Sequence, residues 1–512
     1  MDPIEQLKKD LREGRVDVDR LIDAMMTQQR LLESTQRQLK AALQRIEELE
    51  KNAAGPATPA STKLDEAFSL RAEEKRQQAR RNNKKLKLSK KGRRGRLSSS
   101  DKIKLAERTE PCFPEGIPPQ DCHLSHTRPV WCLENGRAVL IAYQIYRGPN
   151  NHYGKIPGVL GRSEFSLEIM VEIAFFVYVV GLSFDKVCLM LRFLQNLPLG
   201  RTQVDFLLRQ LSRHWQHEFD VLCTLLANSL VVHTDETSWS INSVWAFLSE
   251  KARLVFLGVH KDADTLKQIL DPHTFKGLVI SDDAAVYASF SQAQKCWAHL
   301  LRKAIKLTLQ EPSNAEYRQL TDRLLEIYRR ACQVQRDGRL SDAGRAKKVA
   351  ALDQEIIDLC APLWDLKLPP LTGLANDHRL LINEVMRLMA EDQLFTFVTA
   401  KPASQPNGQS APVAGTNNEA ERTLRSKAQA RDTGRTNKTI VGARRQTIIV
   451  SVLESLRLYL PTYTLAAILE EIKRWRQAGQ SCFTRLLKKL KLQPPNETTP
   501  SILDKVLPVP DG

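Results

Sequence analysis

Residues 229–282 constrain the fold more than any other stretch of the chain. Three runs of strand-forming residues, SLVVHTD, SVWAFLSE and ARLVFLGVH, follow one another across brief polar breaks, as consecutive antiparallel strands do. A short helical stretch, DADTLKQIL, separates them from a fourth run, FKGLVISD. The first and fourth runs both close on acid, at Asp235 and Asp282. If these two strands are neighbours, their carboxylates face each other at one edge of a mixed sheet. Close like charges make one carboxylate take up a proton unless a counter-ion is present. A hard divalent cation resolves the conflict. Mg2+, with Mn2+ as its substitute, takes oxygen ligands from one or two carboxylates and from substrate phosphates. Two such ions can activate an attacking oxygen and stabilise a leaving one in phosphodiester chemistry.

Three strands, a helix and a strand beside the first is the ribonuclease-H-like order, so the expected class is α/β with a mixed-sheet core over 229–310. A helical pattern over 311–400 reads as an all-α insertion, and 415–480 as the second part of the core. The second part opens with NNEAERTLRSKAQAR after a Pro/Gly/Ser-rich loop, which puts Glu421 on the first turns of a helix as the candidate third acid. Asn418, three residues earlier, also fits a capping pair with Glu421, a purely structural role. Glu419 lies two residues along and points away from the Glu421 face. His299 in CWAHLLRK is a candidate for orienting a nucleophile, beside the commoner role of a buried, hydrogen-bonded histidine.

The flanking segments have their own grammar. Met25, Leu32, Leu39 and Ile46 repeat every seven residues, which suggests a dimerising coiled coil over 1–52 or a lone surface helix. An exposed basic linker is expected over 53–110; within it, residues 71–96 hold thirteen Lys/Arg against two Glu. Residues 111–160 contain Cys112, Cys122, His123, His126 and Cys132, but no C-x-x-C knuckle, so small buried thiols are expected there rather than zinc. Three helical runs over 161–228, the last opening with Arg201, Thr202 and Gln203, suit either a helix-turn-helix DNA reader or a bracing bundle. A tail is expected over 481–512.

The formal charge of +17 favours a polyanionic partner. Arg422–Arg445 carries eight basic residues against Asp432 alone, which suits Arg422, Arg425, Arg435, Lys438, Arg444 and Arg445 to DNA phosphates. Nine scattered cysteines suit a reducing cell interior. The opening MDPIEQLKKDLREG does not read as a signal peptide, and the richest apolar run is broken by Glu168 and Glu172, so no membrane partner is expected.

HTDETSW, VISDDAAVY, QKCWAHLLRKA and TNNEAERTLR followed by GRTNKT and GARRQT resemble the DDE transposases of bacterial insertion sequences, specifically the insertion sequence 66 family. The resemblance runs from the N-terminal heptads to about residue 480 and is strongest over 229–310 and 415–460. It implies a catalytic triad of Asp235, Asp282 and Glu421 holding Mg2+. It also implies binding of double-stranded transposon ends and target DNA, strand cleavage by water, and transfer by the freed 3′-hydroxyl. A homo-oligomer of at least two copies, accessory transposition proteins and a bacterial, nucleoid-associated location go with it. The sequence departs from the family's D-G-Y-x-G-Y pattern at DDAAVY, which makes Asp283 a rival; Tyr287, five residues after Asp282, sets the register on Asp282. Other readings of the same residues are an inactive DNA-binding protein of this fold, or a nuclease that cuts without joining.

Overall fold

The computed structural model describes residues 97–364, 373–495 and 500–509, with isolated positions between 26 and 78. The chain divides into two units, 1–96 and 97–512. The heptad positions and nearly all of the basic run lie outside the described residues. Every helix and strand named below belongs to the second unit.

The chain is mixed α/β. In the second unit the first element described, helix α1 (Ser99–Lys104), opens with a capping box between Ser98 and Asp101. A three-stranded sheet comes after it: β1 (Arg108–Cys112), β2 (His123–Glu134) and β3 (Arg137–Arg147), in the order β1-β3-β2. The segment expected to be linker therefore holds regular structure from Ser99 onward, because Ser98–Asp101 nucleates a helix and β1 pairs in parallel with the apolar β3. Cys112 and Cys122 are buried, and the Cys132 sulfur lies 3.9 Å from the Tyr143 hydroxyl.

Helices α2 (Leu167–Ala174), α3 (Phe184–Gln195) and α4 (Arg201–Ala227) come next, α2 running into a π-helical turn at Phe175–Val179. The main sheet comprises β4 (Val231–Ser238), β5 (Ser243–Ser249), β6 (Arg253–Val259), β7 (Leu278–Ser281) and β8 (Ala293–Lys295), in the order β6-β5-β4-β7-β8. Helix α5 (Ala263–Ile269) joins β6 to β7. The first three strands are antiparallel, and β7 runs parallel to both β4 and β8. Gly277 permits the close start of β7: a Cβ there would sit 2.5 Å from the Ser229 carbonyl oxygen.

Helix α6 (Trp297–Gln310) leaves β8 and packs with α7 (Ala315–Arg336), α8 (Asp342–Cys360), α9 (Gly373–Ala390) and α10 (Thr396–Thr399) around a second core. The chain then returns through α11 (Asn418–Asp432) and α12 (Ile440–Leu456) to the main sheet, ending in α13 (Leu465–Ala478), α14 (Cys482–Lys489) and α15 (Ile502–Val506). The last two are core elements, with Phe483 and Leu503 fully buried, so the C-terminal residues are not a tail. Their apolar side chains fill the main core, and the capping box of Ser501 and Asp504 starts α15.

An edge strand exposes unpaired backbone donors unless something covers it. Here α12 covers β6 with a row of hydroxyls: Thr447, Ser451 and Ser455 accept from the backbone N–H of Leu257, Val255 and Arg253 at 3.0, 3.0 and 2.9 Å. The i, i+4, i+8 spacing puts all three on one helix face, matched to alternate residues of the strand. With α12 and α4 against it, β6 is apolar along nearly its whole length, and Phe219 of α4 meets Phe256 edge to face. Among the described residues no helix is long and apolar enough to cross a membrane.

Candidate active site

Parallel pairing of β4 with β7 sets His233 opposite Ile280. Two residues further along each strand stand Asp235 and Asp282, so the register alone brings them level on adjacent strands, whose spacing is about 4.8 Å. Asp235 does not end its strand, as the sequence suggested. Pairing with β5 carries β4 on to Ser238, whereas β7 stops at Ser281, so Asp235 projects where its parallel neighbour gives out. Asp282 begins a turn, its Oδ1 accepting from the Ala284 N–H at 3.1 Å. Buried Lys295 of β8 holds that turn by donating to the Asp282 carbonyl at 3.0 Å.

Glu421 arrives from 139 residues further along the chain on the first turns of α11. A single buried residue fixes the arrival. The Asn417 side-chain N–H donates to the Thr234 carbonyl at 2.7 Å, and its backbone N–H donates to the Cys296 sulfur at 3.1 Å. Thr234 precedes Asp235, so Asn417 ties the start of α11 to the strand that bears the first acid. Asn418, the residue singled out from sequence, is simply the first residue of the helix, and no side-chain cap is made there. The capping reading of the Asn418–Glu421 pair therefore fails, because the adjacent Asn417 occupies the N-cap position and directs its amide to β4.

Burial pushes the Asp235 carboxyl up to about 7, and the charges of Glu236, Asp282 and Glu421 all push the same way. Glu236 faces the other side of β4, where it accepts from the Tyr287 hydroxyl and pairs with Lys261 at 2.8 Å. Glu421 Oε1 meets Arg302 at 2.5 Å and lies 3.6 Å from His299 Nε2. Burial and Arg302 lower the His299 pKa, opposed by Glu421 and Asp282, and among the described residues His299 forms with Cys296 and Glu421 a group whose possible ligand atoms lie within 4.8 Å of one another.

The rival acids have other partners. Asp283 pairs with Arg387 of α9, and Glu419 pairs with Arg253 of β6. Trp245 and Trp297 are fully buried and Trp239 nearly so.

The basic residues divide sharply. Arg422 and Arg425 are exposed on α11, one helical turn or less from Glu421. Arg435 and Lys438 are exposed too, with contacts to the Gly181 carbonyl and the Thr436 hydroxyl. Arg444 and Arg445 are not a DNA surface. Arg444 binds the Leu503 and Leu507 carbonyls and Asp504, anchoring α15, while Arg445 joins Asp205 to the Tyr178 hydroxyl. Arg201 and Gln203 also have partners within the chain. Arg201 pairs with Asp185 across the α3–α4 junction, and Gln203 accepts from the Gly200 N–H at 3.0 Å, capping its own helix.

Sequence reasoning missed the partners of Arg302, Lys261, Arg253 and Arg387 and the docking role of Asn417. Arg302 alone left a trace, three residues after His299 on one helix face. The others act on partners scores of residues away in the chain or, for Lys261, across a strand pair.

Two acids brought level by strand register, and a third docked by Asn417 from beyond a helical insertion, match the order of motifs that suggested a transposase. No curated protein matches the chain. The family model described as "Transposase IS66 family" matches residues 162–445, more than half of the chain and every one of the three acids, so the chain belongs to the IS66 family of transposases.

Proposed function

We propose that the protein is a ribonuclease-H-like DDE transposase that cuts double-stranded DNA at the inverted-repeat ends of an insertion sequence and joins the freed 3′ ends to target DNA. One observation carries the reading: parallel pairing of β4 with β7 brings Asp235 level with Asp282, and the Asn417 amide ties the start of the Glu421 helix to Thr234, beside Asp235. Three acids gathered on register and on a dedicated asparagine, yet mutually repelling, fit a divalent cation. Asp235, Asp282 and Glu421 would hold Mg2+, or Mn2+ in its place. When bound, that metal supplies Lewis-acid stabilisation of a phosphodiester in displacement.

The chain's own residues do the rest. Asn417 keeps Glu421 on the Asp235 side of the sheet. Arg302 pairs with the Glu421 carboxylate in the metal-free protein and gives it up when the cation binds. His299 lies close enough to Glu421 to position a nucleophilic water or 3′-hydroxyl. Arg422 and Arg425, exposed beside the third acid, give the bidentate donors that fix a scissile strand on its phosphates. The strand order β6-β5-β4-β7-β8, antiparallel then parallel, supports the ribonuclease-H-like reading. Joining two ends calls for at least two copies, a task suited to the heptad segment, with accessory proteins as further partners at the bacterial nucleoid.

The test is strand transfer of a labelled terminal-repeat duplex with Mg2+ or Mn2+. Asp235→Ala, Asp282→Ala and Glu421→Ala each abolish product while duplex binding persists. Product from any of the three overturns the assignment.

A further inference from the structure

A cavity of about 770 Å3 opens beside the C-terminal half of α11, between the π-helical turn and the loop leading to α12. Val179 and Phe184 stand in its apolar wall. The lining also carries Lys427, Arg435, Lys438 and Arg445, the last with its guanidinium over the Phe184 ring, and among the described lining residues there is no Asp or Glu. Arg445 is already paired with Asp205. Arg435 and Lys438 are exposed at the rim, while Lys427 is only 7% exposed and its ammonium donates to the Tyr178 carbonyl at 3.3 Å. Burial lowers the Lys427 pKa, against the pull of Glu454. A buried ammonium on so long a contact gains from an anion placed beside it.

An acid-free lining that combines cations with apolar side chains suits a nucleotide, whose phosphate takes the cations and whose base takes the apolar surface. The volume suits a ligand of small-molecule size and excludes a duplex. We infer that this cavity takes an unpaired DNA nucleotide, its phosphate towards Lys427, Arg435 and Lys438 and its base against Val179 and Phe184. The inference rests on the transposase reading and gives it a place for a single strand. Lys427 follows Glu421 by six residues on the same helix, about 9 Å along the axis and roughly a third of a turn around it. Phosphates of a B-form strand recur about every 3.4 Å. A strand cut at the acids thus reaches the cavity within a few nucleotides.

The experiment follows anisotropy of fluorescein-labelled oligo-dT and of a blunt duplex of equal length, bound to the full chain in EDTA. Gln429→Trp, from an exposed position on the cavity lining, narrows the space; Arg435→Ala with Lys438→Ala removes the rim cations. Gln429→Trp is expected to weaken oligo-dT about tenfold, as loss of a stacked base does, and the duplex less than about twofold. The double variant flattens the salt dependence of oligo-dT binding by about 1.4 in log–log slope, roughly 0.7 for each lost phosphate contact. Equal weakening of strand and duplex by Gln429→Trp, or unchanged oligo-dT affinity in both variants at wild-type melting temperature, overturns the inference. No cleavage occurs in EDTA, so such a failure leaves the transposase reading standing. Failure of that reading would show instead as absent strand transfer with oligo-dT binding intact.

Discussion

Replacing Asp235 with Asn keeps the shape of the side chain and removes its charge. In the metal-free protein the site raises this carboxyl from its ordinary 3.8 to about 7. Between those values the folded state binds more protons than the unfolded one, so stability falls as pH rises from about 4 to about 7. Above pH 7 the penalty is fully present. Three units at 1.36 kcal/mol each put it at about 4 kcal/mol at pH 8, falling below about 2 kcal/mol at pH 5. Asn escapes the penalty at every pH. In EDTA at pH 8, Asp235→Asn should therefore be more stable than the wild type by up to about 4 kcal/mol. For a unit of some four hundred residues that is roughly 5 °C in melting temperature. Thermal unfolding at pH 5 and pH 8, each with EDTA and with Mg2+, reads it out. Mg2+ should stabilise the wild type at pH 8 and have much less effect on the variant. A variant no more stable than wild type at pH 8, or a gap that is the same at pH 5, would refute the argument that burial and the neighbouring acids raise the Asp235 carboxyl.

Further outcomes rest on the same contacts. Arg302→Ala frees Glu421 from a half-exposed ion pair worth at most about 1 kcal/mol. The Mg2+ concentration for half-maximal cleavage should fall severalfold, and an unchanged or higher requirement would show that Arg302 does not compete with the metal. Glu419→Ala loses its partner Arg253 and should lower melting temperature while cleavage stays within a few-fold of wild type, in contrast to Glu421→Ala. Arg444→Ala detaches α15 and should lower stability by about 1–3 kcal/mol in denaturant melts, leaving duplex affinity unchanged in gel shifts. Asn417→Ala should cut cleavage by an order of magnitude or more with Mg2+ saturating, since its amide docks the third acid; retained activity would show that α11 is held by other contacts.

What the sequence made legible and what it hid divide on physical lines. Apolar runs such as RLVFLGV report strands directly, because a strand buried on both faces has no polar positions to alternate with. Acids closing two such runs stand out for the same reason, and strand register then sets Asp235 level with Asp282. Long-range polar pairing leaves no local mark. Arg444 and Arg445 read as surface charge because Asp504 and Asp205 lie 60 and 240 residues away in the chain. Asn417 and Asn418 are indistinguishable as letters, and only the docking of α11 on β4 tells the buried residue from the first of the helix. The hydroxyl row Thr447, Ser451 and Ser455 went unread in the sequence, because its meaning needs the edge strand it covers.

Whether three acids share one cation is probed most directly, without DNA or turnover, by a Mn2+ titration read by electron paramagnetic resonance. Wild-type protein should take up Mn2+ with an affinity that drops at least about tenfold in each of Asp235→Ala, Asp282→Ala and Glu421→Ala. Unaltered Mn2+ uptake in Glu421→Ala would contradict the shared site, separating the helix-borne acid from the pair on the sheet.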